Sequence, residues 1–188
     1  IRFLHYDKIE LNDFGATAIA LYSGMRLGEI CELKKSDISE DCFHIYKGKT
    51  SAASRVVPIN SILNPVINKL FEKSKDRYLI TNISPGGDDN KRSWNFQKRL
   101  GRIRKEIELP EGVVFHSLRN TFSTRMENLG IPKNHISQLM GHEDGNMALD
   151  VYSGGLAIEP LRESINKLTY GSGMDLLIKG RLKDFSFR

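Results

Sequence analysis

Five side chains are of types that could act together on a phosphodiester: Arg26, His116, Arg119, His142 and Tyr152. Four fall in the stretch 115–155, which reads FHSLRNTFSTRMENLGIPKNHISQLMGHEDGNMALDVYSGG, and Arg26 lies far upstream. Phosphoryl transfer needs a positioned nucleophile, neutralisation of charge on the phosphorane oxygens and protonation of the leaving oxygen. Two guanidiniums can carry the charge, because each presents a planar fork of donors to phosphate oxygens. Arg26 and Arg119 are the candidates, since each stands beside other residues of site type. A phenol and two imidazoles complete a set built to attack a phosphodiester with a tyrosine. A metal could supply the charge instead. The sequence offers Asp88-Asp89 in a glycine-rich loop, Glu143-Asp144 as neighbours, and neither H-E-x-x-H nor C-x-x-C.

The elements that must position these groups are legible from period and punctuation. Residues 7–23 predict a helix with a broad apolar face and Asp7 as its cap. After Ser23-Gly24 a second helix runs over 26–38, with Arg26 at its start and Glu29 one turn on. CFHIYKGK (42–49) and SRVVPIN (54–60) predict a β-hairpin with Lys49 near its tip. Asn64-Pro65 opens a helix to about 75. RYLIT (77–81) is a short extended piece and 84–93 a loop. A basic helix follows over 92–108. Ser117 is a candidate cap for a helix ending at Gly130, and Pro132 restarts one that presents His142. A helix over 156–170 precedes a tail, 171–188, that reads as a strand or a disordered arm. The expected class is α+β, mainly α-helical with a small antiparallel β-sheet, with a domain over 1–170.

The chain has 188 residues, a net charge of +5 and a pI near 9.2, so it fits one domain and mildly favours a polyanionic partner. Two cysteines, Cys31 and Cys42, make no disulfide framework, and a reduced intracellular setting is the default. No apolar run approaches the ~20 residues of a membrane span, and no signal peptide is evident. A start at Ile1 instead of Met suggests a piece of something longer.

GMRLGEICEL (24–33), Lys49-Thr50 ahead of a V-V-P-I strand, H-S-L-R-N-T-F (116–122), L-M-G-H (139–142) and a tyrosine ten positions on together resemble the catalytic domain of the tyrosine recombinases, the phage integrase family. The resemblance covers roughly residues 7–168. It implies that Tyr152 forms a 3′-phosphotyrosyl bond with DNA, that Arg26 and Arg119 clamp the scissile phosphate, and that His116 assists proton movement. It further implies Lys49 as general acid for the leaving 5′-oxygen, His142 as a hydrogen-bond donor to the phosphate, and Glu29 as a buttress. Neither ATP nor any other cofactor or metal would be required. Double-stranded DNA would be the partner, engaged by a homo-tetramer, with an accessory DNA-bending protein, in the cytoplasm at the nucleoid of a bacterium or a phage-infected host. The tail would pack on a neighbouring protomer. Three departures stand out. The interval from His142 to Tyr152 is one residue longer than in many members. Gly154 replaces a His found in some. The hairpin carries Lys47 as well as Lys49.

Plainer readings stand beside these. Tyr152 could be a half-buried structural tyrosine, His116 and His142 satisfied structural histidines, and Arg26 with Glu29 a surface pair. Trp94 reads as core or loop packing. The basic residues Lys47, Arg92, Lys98, Arg99 and Arg102 are candidate DNA-backbone contacts or a solvated face. Rival functions are a type IB topoisomerase-like strand transferase and a non-enzymatic helix-turn-helix DNA-binding protein. Against the latter, Ile136, Leu139 and Met140 predict burial where a recognition helix would expose polar groups.

Overall fold

The structure, a computed structural model, describes residues 2–46, 54–142 and 157–185. Its centre is helix α1 (Leu11–Ser23), buried on almost every side from Asp13 onward. Small residues let neighbours approach from all directions. A Cβ on Gly15 would come within 2.7 Å of Leu70, so helix α3 (Asn64–Lys73) packs directly on the α1 backbone. Thr17 and Ser23, both buried, donate their hydroxyls to carbonyls one turn back, so neither is left unsatisfied. The expected start at Asp7 is four residues early. A 3₁₀ turn over Arg2–His5 precedes α1, whose cap position is Glu10.

Helix α2 (Leu27–Glu32) is half as long as the sequence suggests. It stops because Leu33 turns extended: its carbonyl accepts from the N–H of Leu79, while the Lys35 N–H donates to Arg77. Tertiary pairing overrides the helical propensity of the ELKK stretch. A three-stranded antiparallel sheet follows: β1 (Ile38–Ser39), β2 (Cys42–Ile45) and β3 (Arg55–Pro58), in the order β1-β2-β3. Glu40 and Asp41, both at positive φ, make the two-residue turn between β1 and β2. β2 pairs with β3 in the register Phe43 opposite Val57. The hairpin expected from the sequence is present, and β1 is an addition to it.

Helix α4 (Ser93–Glu106) lays Phe96, Leu100 and Ile103 inward. Helix α5 (Ser117–Asn128) packs on α1 through Phe122 and Met126, and Gly130 follows at φ 71°. Ser117 does not cap α5; its hydroxyl accepts from the Val114 N–H within the entry turn. Helix α6 (Lys133–Met140) ends on the left-handed Gly141, and helix α7 (Ile158–Asn166) packs on β3 and α6. Buried Asn60 ties α7 to the sheet, donating to the carbonyls of Ile165 at 2.6 Å and Leu168 at 3.0 Å.

The tail is neither strand nor loose arm. Helix α8 (Ser172–Arg181) and a 3₁₀ turn over Leu182–Phe185 lie on the chain's own core. Ile178, Leu182 and Phe185 are buried, a helical spacing that superficial alternation in the sequence hides. Phe185 meets Phe14 with ring centroids 5.5 Å apart, and Asp175 accepts hydrogen bonds from Tyr22 and Thr169, each 2.6 Å long.

Candidate active site

The site grows from the ends of helices. Arg26 sits just before α2, and Glu29 in its first turn reaches back to accept from the Arg26 backbone N–H at 2.9 Å. The same carboxylate accepts from Arg26 Nη1 at 3.1 Å and, in a two-pronged pair at 3.0 and 2.8 Å, from Arg55 at the start of β3. This is no surface pair: the side chains of Glu29 and Arg55 are each 7% exposed. Burial would raise the Glu29 pKa, but the hydrogen bonds and charge of Arg55, with Arg26 behind them, pull it down to about 2. Arg55 also donates through Nε to the Leu139 carbonyl at 3.0 Å. Sequence reading missed it. Its one signal is a charged residue at the inward phase of the R-V-V-P strand, two before buried Val57.

Arg119 projects from the first turn of α5 into the interior and is 2% exposed. Its Nη1 donates to the Gly24 carbonyl and its Nη2 to the Met140 carbonyl at 2.7 Å. Gly24 caps α1 and Met140 is the last residue of α6, so two helix C-termini hold the guanidinium. Carbonyl dipoles orient a cation without cancelling its charge, and helix C-termini favour positive charge. Burial, with the like charges of Arg26 and Arg55 adding, lowers the Arg119 pKa to about 10, so it stays protonated at neutral pH. Arg26 Nη2 points to the Gly141 carbonyl at 3.4 Å, next to the one that holds Arg119. Three guanidiniums around one carboxylate leave two positive charges.

His116 immediately precedes α5, with its carbonyl accepting from the Arg119 N–H at 3.0 Å, and its ring is exposed on the wall of a cleft of about 550 Å³. α4 lines the same cleft through Gln97, Gly101 and Arg104. His142 is exposed just past Gly141, its N–H donating to the Ser137 carbonyl. Gly141 has φ +63°, and a Cβ there would meet Arg55 Nη1 at 2.8 Å. The structure therefore gathers Arg26, Glu29 and Arg119 around the Met140–Gly141 carbonyls, with His116 one turn before Arg119 and His142 next to Gly141 along the chain. Lys47, Lys49 and Tyr152 lie outside the described residues.

The candidate DNA contacts divide. Arg92 is corrected to a structural residue: it is buried, donates to the carbonyls of Cys31, Ile83 and Ile80, and stacks 3.5 Å over Tyr78. Arg99 is paired with Asp13 at 2.9 Å and Glu10 at 3.1 Å, so its charge is compensated. Lys98 and Arg102 are exposed on α4 and have no carboxylate partner among the described residues.

The model of the phage integrase family matches residues 1–154. The chain belongs to that family. Among its relatives, it is 30% identical over 151 residues to the tyrosine recombinase XerA of Pyrococcus horikoshii, covering 77% of this chain and 50% of that protein. To XerA of Thermococcus onnurineus it is 32% identical over 158 residues, covering 81% and 54%. This phage integrase family chain thus spans about half the length of these relatives. Its fold matches the crystal structure of XerA recombinase with a TM-score of 0.62 at 20% identity, over 88% of this chain and 61% of that one. It matches the Tn1549 transposon integrase in complex with circular intermediate DNA with a TM-score of 0.62 at 22% identity, over 89% and 63%. The expected class, mainly helical with a small antiparallel sheet, is that of these structures.

Proposed function

We propose that this chain is the catalytic part of a site-specific DNA recombinase that cuts and rejoins DNA through a tyrosine. The observation that carries the reading is the pair Arg26 and Arg119, brought together from positions 93 residues apart on the adjacent carbonyls of Met140 and Gly141 and held with charge to spare. In the proposed reaction the Tyr152 phenol oxygen attacks the scissile phosphorus, its hydroxyl proton passing toward His116 as the O–P bond forms. The bond to the 5′-oxygen breaks, and Lys49 gives that oxygen a proton. Arg26, Arg119 and His142 face the phosphorane oxygens, and Glu29 fixes Arg26. Attack by a 5′-hydroxyl of another strand on the phosphotyrosyl bond reverses these steps, so phosphodiester energy is conserved. Lys98 and Arg102 take backbone phosphates along α4. Exchange between strands calls for several copies on DNA, at the nucleoid, and a DNA-bending protein would help assemble them. No described helix is long and apolar enough to cross a membrane.

The test is a nicked duplex that loses the 5′-hydroxyl fragment after cleavage and traps the covalent adduct. The wild-type chain should give a denaturant-stable protein–DNA product in EDTA, and Tyr152→Phe none while retaining duplex binding. An adduct formed by Tyr152→Phe would sink the assignment.

A further inference from the structure

Trp94 sits where apolar surface is least expected, on the outer face of α4. The residue is 45% exposed, yet its indole is firmly seated. Beneath it the loop over 84–91 closes with paired backbone hydrogen bonds between Gly86 and Lys91 at 3.1 and 3.0 Å. Asn95 pins the loop by donating to the Ser84 carbonyl at 3.0 Å. Glycine is required at both seats: a Cβ on Gly86 would lie 2.7 Å from the indole, and one on Gly87, at φ +74°, 2.9 Å from it. One helical turn on, Lys98 Nζ stands 4.7 Å from the ring centroid. Arg102 and Lys105 continue the same exposed stripe, while the adjacent line of Gln97, Gly101 and Arg104 borders the cleft that holds His116.

We infer that Trp94, seated on Gly86-Gly87 and flanked by Lys98, is a DNA-contacting platform that meets the apolar edge of the duplex, its deoxyribose rings and thymine methyls. The inference rests on the recombinase reading for its partner and goes beyond it in naming the residue and its loop. An exposed ring costs little entropy to use when its orientation is already fixed, and apolar contacts of this kind distinguish base edges that phosphate contacts ignore. Charge selects the occupant. Lys98, Arg102 and Lys105 lie along the stripe, which suits a polyanion and disfavours a neutral protein surface.

Trp94 is the sole tryptophan of the chain, so its emission reports this spot alone. The 188-residue chain is titrated with a fluorescein-labelled 30-base-pair duplex at low salt, following anisotropy for binding and acrylamide quenching of the tryptophan for contact. At saturation the quenching constant should fall about twofold or more. Trp94→Ala should weaken duplex binding about tenfold, the scale of one good base-edge contact, at unchanged thermal midpoint, and Trp94→Phe should recover most of it. Saturable binding with unaltered quenching, or equal affinity of Trp94→Ala, overturns the platform and leaves the recombinase reading standing. Protection that grows with protein concentration in the absence of DNA assigns the face to a second copy and overturns it too. No duplex binding at any salt removes the recombinase reading together with the platform.

Discussion

A buried arginine held by carbonyls is a different device from one held by carboxylates. Arg119 is oriented by Gly24 and Met140 and keeps its charge; Arg55 is neutralised against Glu29 and serves as a brace. The two should respond differently to substitution. Arg119→Lys replaces a rigid planar fork by one point-like ammonium, which can meet the two carbonyls but leaves no oriented donors for a phosphate, so single-turnover DNA cleavage should fall at least about a hundredfold with little change in folding stability. Arg55→Met leaves the Glu29 carboxylate buried with only the half-exposed Arg26, and urea denaturation should show a loss of about 3 kcal/mol. Adding Glu29→Gln to Arg55→Met should recover part of that loss, because the stranded charge is gone. Additive losses in the double variant would contradict the brace.

At the scale of elements, the tail is the sharpest case. With α8 and its 3₁₀ extension packed through Phe185 onto α1, Phe185→Ala should destabilise the chain by about 3 kcal/mol in denaturant unfolding. Unchanged stability would mean the tail does not pack on its own core in solution. This element also marks where sequence reading fell short. The D-L-L-I-K-G-R-L stretch alternates superficially and reads as a strand or a loose arm, whereas burial of Ile178, Leu182 and Phe185 follows the helical period of α8 and its extension. α2 was overextended because the strand-like partner at 77–79 is remote in sequence. By contrast, Arg26, Glu29, His116, Arg119 and His142 stand in short sequence motifs that the family resemblance picks out, and the structure sets each of them at or next to a helix end. Arg55 was not, because its partner Glu29 lies 26 residues away. Arg92 misled because a row of basic residues on a helix does not reveal which one turns inward.

For the molecule as a whole, two buried carboxylates contribute opposite limbs to the dependence of stability on pH. Glu29, held at about 2 against an ordinary 4.5, contributes stability that is present above pH 4.5 and lost as the pH falls through that window. Asp13 is displaced the other way: burial, only partly offset by Arg99, raises it from 3.8 to about 6. The folded state then holds that proton more tightly, so stability declines as pH rises from 3.8 to 6. Between them these groups place an optimum at about pH 4 to 5, to be read from urea midpoints against pH. Glu29→Gln should flatten the acid limb and Asp13→Asn the upper one. The left-handed glycines have a wider consequence. Gly24, at φ +67° with Phe122 2.6 Å from where a Cβ would stand, and Gly141, at φ +63° against Arg55, bring carbonyls to the guanidiniums without a side chain of their own. In a saturation mutagenesis screen for strand cleavage, both positions should be depleted as severely as Arg119. A map of tolerance drawn from such a screen would then mark as reactive centre two residues that have nothing with which to touch DNA except backbone.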